Sequence, residues 1–80
     1  MNSPITWRRN LRIEETQPGF EYWDMYKDGE YQHAWITCSL RERKYALNAW
    51  DGQLGTYDSF ADADAHAVAL AVMDRFRRAG

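Results

Sequence analysis

The apolar positions of this chain change period along its length. Ile5, Trp7, Arg9, Leu11 and Ile13 alternate with Thr6, Arg8, Asn10 and Arg12. That period of two predicts a strand with one mostly apolar face, a short helix being the alternative. Thr16-Gln17-Pro18-Gly19 reads as a turn, because Pro-Gly suits the central positions of a type II turn. Phe20 to Lys27 and Glu30 to Ser39 are rich in aromatic and β-branched residues. Asp28-Gly29 between them is a favoured two-residue hairpin loop. Ser39 to Lys44 is a polar connection. Lys44 to Trp50 is a further strand, with Tyr45, Leu47 and Ala49 on one side and Ala46, Asn48 and Trp50 on the other. Asp51-Gly52 signals a second hairpin, so that Gln53 to Tyr57 returns as a short strand. Residues 1–5, which include Pro4, are expected to be flexible.

From Ser59 the period becomes helical, and a helix is expected over about residues 59–78. Ser59 suits the N-cap, with Asp62 three residues on in a capping-box-like pattern. Asp58, Asp62 and Asp64 lie near the positive end of the helix dipole, and Arg75, Arg77 and Arg78 near the negative end. Ala61, Ala65, Val68, Ala69, Val72 and Phe76 fall on one stripe, with Met73 on its edge, which predicts the core face. Ala63, Ala67, Leu70 and Ala71 form a second strip. It is read either as alanine used for helix propensity with one exposed leucine, or as a contact strip, with Leu70 as a candidate oligomer contact. The expected fold is α+β: a single 80-residue domain in which an antiparallel meander sheet of three to five strands packs on one C-terminal helix.

Closing the hairpin at Asp28-Gly29 sets the pairs Lys27–Glu30, Tyr26–Tyr31, Met25–Gln32, Asp24–His33, Trp23–Ala34 and Tyr22–Trp35. One face then carries Trp23, Met25, Ala34, Ile36 and Cys38. The other carries Phe20, Tyr22, Asp24, Tyr26, Tyr31, His33, Trp35 and Thr37. A slip of one residue would exchange the faces. The aliphatic face suits an alanine-rich helix. The aromatic face holds a carboxylate and is assigned to solvent or a partner, unless an N-terminal segment or the loop at Ser39 to Lys44 folds over it.

Composition narrows the function. Ten basic and 12 acidic residues give a net charge of −2, which argues against a general nucleic-acid binder. One cysteine, Cys38, excludes an intrachain disulfide. Nothing resembles a signal peptide, and the longest apolar run, Ala67 to Met73, is too short to span a bilayer. A soluble cytoplasmic protein is expected. Asp62, Asp64 and His66 look like a metal motif, but on a helix Asp64 points away from the other two. An acidic helix start is the plainer reading, and no metal or cofactor is expected. Asp24 and His33 could orient one another, yet no nucleophile joins them, so an enzyme is not expected. Binding remains, through Tyr22, Asp24, Tyr26, Tyr31, His33 and Trp35 to a protein partner, since Tyr and Trp combine large contact area with a polar handle. The alternative is nucleic-acid contact through the sheet with Arg41, Arg43, Lys44 and Trp50.

Leu54-Gly55-Thr56-Tyr57-Asp58-Ser59, followed by the alanine-rich helix, resembles the corresponding turn of ethylene-response-factor-type DNA-binding domains and of integrase arm-binding domains. The resemblance implies a sheet on one helix that reads DNA with the sheet, and Arg41, Arg43 and Trp50 are the residues it would carry over. In size, acidity and lack of catalytic motif, the chain is also similar in type to small phage or mobile-element proteins that inhibit a host machine, anti-CRISPR proteins among them. That implies the cytoplasm of a prokaryotic or phage-infected cell.

Overall fold

A computed structural model describes residues 4–76. Five strands, β1 (Ile5–Arg9), β2 (Phe20–Lys27), β3 (Glu30–Ser39), β4 (Tyr45–Ala49) and β5 (Gly52–Tyr57), form one antiparallel sheet in the order β1-β2-β3-β4-β5. A short helix, α1 (Leu11–Thr16), joins β1 to β2, and α2 (Phe60–Val72) follows β5. The architecture is the α+β meander with a C-terminal helix that the pattern predicts.

The alternation at the N-terminus ends sooner than its period suggests. Asn10 leaves the strand and caps α1, its Oδ1 accepting from the Ile13 N–H at 3.1 Å. The segment is therefore a strand and then a helix, and Leu11, counted on the apolar face, is 60% exposed. Ile5, expected in a flexible start, pairs with Lys27 and is buried in the core.

The β2–β3 hairpin turns at Asp28-Gly29, both at positive φ, as a tight primed turn requires. Lys27↔Glu30 and Tyr26↔Tyr31 pair as expected. Past them the ladder breaks: opposite Met25, β3 carries Gln32, His33 and Ala34, with His33 at φ 55°. Pairing resumes with Asp24↔Trp35, Trp23↔Ile36 and Tyr22↔Thr37. The expected pairs Met25–Gln32, Asp24–His33, Trp23–Ala34 and Tyr22–Trp35 are not formed, because a left-handed residue cannot continue a ladder. The shift is even, so the two faces survive it. Met25, Ala34, Ile36 and Cys38 are buried, with Leu47 and Ala49 beside them from β4. Burying each of Met25, Ile36 and Leu47 contributes about 1.5–3 kcal/mol.

Helix α2 starts at the expected N-cap, the Ser59 Oγ accepting from the Asp62 N–H at 3.1 Å. It stops earlier than expected, at Val72. Asp74 takes φ 59°; its N–H donates to the Ala71 carbonyl at 3.0 Å and that of Arg75 to the Leu70 carbonyl at 2.9 Å. This is a Schellman closure with aspartate at the left-handed position. Arg75 then reaches Asp51, with an Nη2 to Oδ2 distance of 2.9 Å. Arg77 and Arg78 lie outside the described residues.

Within α2 the helix presents the opposite side to the one expected, although Phe76, expected on the core stripe and lying beyond the end of α2, is buried in the core. Ala63, Ala67 and Ala71 are buried on the sheet, with Leu70 and Val68 packed partly beside them. Val72 and Met73, assigned to the core stripe, are 73% and 75% exposed, and Ala61, Ala65 and Ala69 face solvent. The helix is apolar nearly all round, so its periodicity does not choose a face. Close approach does: the i, i+4, i+8 row of alanines lets the helix lie low over β4 and β5. The strip containing Leu70 is therefore core-facing, which removes it as a free oligomer contact.

Phe60 anchors the helix start. Its ring meets Trp7, Trp23 and Tyr45 edge-on at centroid distances of 5.6, 5.1 and 6.0 Å. The Trp7 indole N–H donates to Asp64 Oδ1 at 2.7 Å, tying β1 to α2. The Tyr57 ring lies across Gly55, where a Cβ would meet its hydroxyl at 2.6 Å, and that hydroxyl contacts His66 Nδ1. Asp64 and His66 are thus engaged in packing, and among the described residues no three His, Cys, Asp or Glu side chains gather as a metal group.

Candidate functional site

Side chains of one parity on β2 and β3 point away from α2. Tyr22, Asp24 and Tyr26 stand on β2, and Tyr31 and Trp35 on β3. Tyr26 and Tyr31 form a cross-strand pair at 5.8 Å between centroids, and the Arg8 guanidinium lies 4.2 Å from the Tyr26 ring centre. Tyr31 is 38% exposed, while Tyr22, Tyr26 and Trp35 are half-buried.

Helix α1 packs on β2 and walls one end of this face. Ile13, Gln17, Tyr22, Asp24, Tyr31 and Trp35 enclose a groove of about 260 Å3. Its parts are held in place. The Tyr22 hydroxyl donates to Gln17 Oε1 at 2.6 Å. Asn10 Nδ2 donates to Asp24 Oδ2 at 2.9 Å, so the residue that caps α1 also positions the carboxylate. Arg9 braces the helix from the other side, bonding Glu14 at 2.8 Å and Glu21 at 2.6 Å. The Glu14 Oε2 also accepts from the Tyr22 N–H at 3.1 Å. The Arg9 hydrogen bond holds the Glu14 carboxyl below its usual pKa, assisted by the Tyr22 N–H and by the Arg9 charge. Burial raises the Tyr31 phenol above its usual value, and the nearby Asp24 charge and Tyr26 add to the shift.

Of the six expected partner-binding residues, Tyr22, Asp24, Tyr31 and Trp35 share the groove and Tyr26 adjoins it through Tyr31. His33 does not join them. The break in the ladder carries it to the neighbouring, wider cleft of about 500 Å3 at the hairpin tip, beside Lys27, Glu30 and Tyr31. Its ring meets Tyr31 at 4.9 Å, and Trp35, expected opposite Tyr22, stands opposite Asp24 where His33 was expected. The proposed orientation of His33 by Asp24 is absent.

The alternative set is dispersed. Arg41 and Arg43 lie in the exposed loop before β4, and Lys44 is paired with Asp58. Trp50, 48% exposed, sits at the far end of β4 in the turn to β5. The length of β4 separates Lys44 from Trp50 by roughly 20 Å.

Sequence reasoning missed Ile13 and Gln17, which form the α1 side of the groove, and Asn10, which caps α1 and bonds Asp24. The signal was present: an asparagine before a run containing Leu11, Ile13 and Glu14 is an N-cap signature. It was masked by an alternation that continues formally through Ile13.

Comparison with protein families, curated proteins and solved structures finds no match to this chain. Among the described residues, no helix is long and apolar enough to cross a membrane.

Proposed function

We propose that this chain is a small non-enzymatic binding protein that docks on a protein partner through the outer face of its sheet. The observation that carries the reading is the cluster of Tyr22, Tyr26, Tyr31 and Trp35 on the face that α2 leaves uncovered. Aromatic rings of this kind serve as anchors, because they present large rigid surfaces with a polar tip. The acid in their midst, Asp24, favours a partner with a basic surface. Stacking on nucleic acid instead requires cations between the rings; Arg8 on the Tyr26 ring is one, but Arg41, Arg43 and Lys44 stand away from them and Asp24 lies in their midst. The similarity in size and acidity to small phage inhibitors extends the proposal to blocking a host machine by occupying one of its surfaces.

The test compares the wild-type chain with a Tyr31→Ala, Trp35→Ser double variant in capture from the source cell's lysate, alongside titration with random duplex and single-stranded DNA at two salt concentrations. Loss of one partner by a variant whose circular dichroism is unchanged is the expected result. Salt-dependent DNA binding would replace the proposal with the nucleic-acid reading, and an unfolded variant would assign the rings to structure.

A further inference from the structure

The groove under α1 has a composition that specifies its occupant more narrowly than the sheet face as a whole. Asp24 lies half-buried between Trp35 on the adjacent strand and the wall formed by Ile13, Gln17 and Tyr22. Its Oδ2 receives one neutral hydrogen bond, from Asn10. None of the ion pairs among the described residues involves it. The nearest candidate in register, Arg8, stands opposite Asp24 on β1 but lies over the Tyr26 ring instead. A half-buried carboxylate with no ion pair among the described residues is a site with unfilled charge, because burial weakens its hydration and no direct cation contact replaces it. The rings beside it add a second attraction of the same sign, since the faces of Tyr and Trp draw cations by their quadrupoles.

Resting on the reading of this face as protein-binding, we infer that the groove receives a guanidinium group, an arginine side chain presented by the partner, with Asp24 as counter-ion and Tyr31 and Trp35 as stacking surfaces. Size, shape and charge agree on that occupant. At about 260 Å3 the groove is below the usual range of small-molecule pockets, roughly 300–1,000 Å3, and suits one side chain. A planar guanidinium lies flat against ring faces while giving a forked pair of hydrogen bonds to a carboxylate, and it sheds water more readily than a lysine ammonium. Phosphate and carboxylate ligands are repelled by Asp24. The break in β3 is part of the device: by removing His33 from this face, it sets Trp35 opposite Asp24 with Tyr31 in the adjoining pair.

The test is a 1H–15N correlation titration of the full chain with N-acetyl-arginine amide and, separately, N-acetyl-citrulline amide, which keeps the shape and removes the charge. The arginine probe is expected to give saturable shifts at the Trp35 indole and at the amides of Gln17, Asp24 and Tyr31. Citrulline is expected to bind at least roughly tenfold more weakly, the factor equivalent to about 1.4 kcal/mol. Asp24→Asn, which keeps an oxygen for Asn10 to donate to, is expected to lose a similar factor while its other resonances stay in place. Equal shifts from both probes, or arginine shifts that centre on Asp28 and Glu30 at the hairpin tip, would overturn the inference. Partner capture that is lost in the Tyr31→Ala, Trp35→Ser variant but kept in Asp24→Asn would overturn it too, leaving the broader docking reading standing.

Discussion

Asn10 holds Asp24: its side-chain N–H donates to the carboxylate at 2.9 Å while its oxygen caps α1. One residue therefore fixes both the wall of the groove and its charge. Asn10→Ala should destabilise the chain by about 1–2 kcal/mol in urea denaturation, through loss of the cap and of a hydrogen bond to a charged group. Asn10→Asp separates the two roles. Aspartate caps as well as asparagine, but it sets a second carboxylate against Asp24, so any stability it loses reports the Asp24 contact.

Phe60 is the point at which β1, β2 and β4 meet the start of α2, since its ring touches Trp7, Trp23 and Tyr45. Phe60→Ala should cost about 2–4 kcal/mol, and Phe60→Leu less than about 1.5 kcal/mol, because leucine fills much of the volume without the edge-on ring contacts. Denaturant midpoints of the two variants decide the matter. Equal losses would mean that ring geometry matters here and volume does not.

The orientation of α2 makes a paired prediction. Ala67 lies buried on the sheet and Ala65 faces solvent. Ala67→Leu should lower stability by about 1–3 kcal/mol through overpacking. Ala65→Leu should stay within about 0.5 kcal/mol of the wild type. Thermal or urea unfolding of the pair distinguishes the observed face from its opposite.

The Arg9–Glu14 contact predicts an acid dependence. Glu14 is held below its ordinary pKa of 4.5 mainly by the Arg9 hydrogen bond. A carboxylate whose pKa is lowered by folding contributes stability that is complete above the unfolded-chain value and is lost as pH falls through the lowered one. Arg9→Ala should therefore flatten the loss of stability below about pH 4.5, and the gap between variant and wild type should close as acid is added. Urea midpoints measured from neutral pH to pH 2 test the sign; a gap that widens in acid would contradict it.

His33 sits at φ 55° within β3. A left-handed residue with a branched Cβ is strained by roughly 1–2 kcal/mol, and glycine is free of that strain. His33→Val should destabilise by about that much. His33→Gly should be close to neutral, with relief of strain set against the lost ring contact to Tyr31. The difference between these two variants is the informative quantity.

Turn chemistry and alternation made most of the sheet legible. Asp28-Gly29 closes the hairpin where its residue types require, and the burial of Met25, Ala34 and Ile36 follows the period of two. The helix face was not legible, because alanine and valine occur on all its sides and only the height of β4 and β5 beneath it selects Ala63, Ala67 and Ala71. The pairing of Asp24 was not legible either. Gln32 and His33 are ordinary strand-compatible residues, and nothing in their types marks a break. For the groove, the rings and the acid could be found from the hairpin alone, whereas the wall from α1 depended on reading Asn10 as a cap rather than as the polar member of an alternation.

The break in β3 also bears on how the length of this chain can vary. Excising Gln32 and His33 would bring Ala34 opposite Met25, with Tyr31 still facing Tyr26 and Trp35 still facing Asp24. A chain two residues shorter could thus keep the same core and the same groove on an unbroken ladder. Excising either residue alone would turn the strand over from that point, exposing Ile36 and burying Trp35. Insertions and deletions in this strand are tolerable in pairs, and related chains should differ here by even numbers of residues.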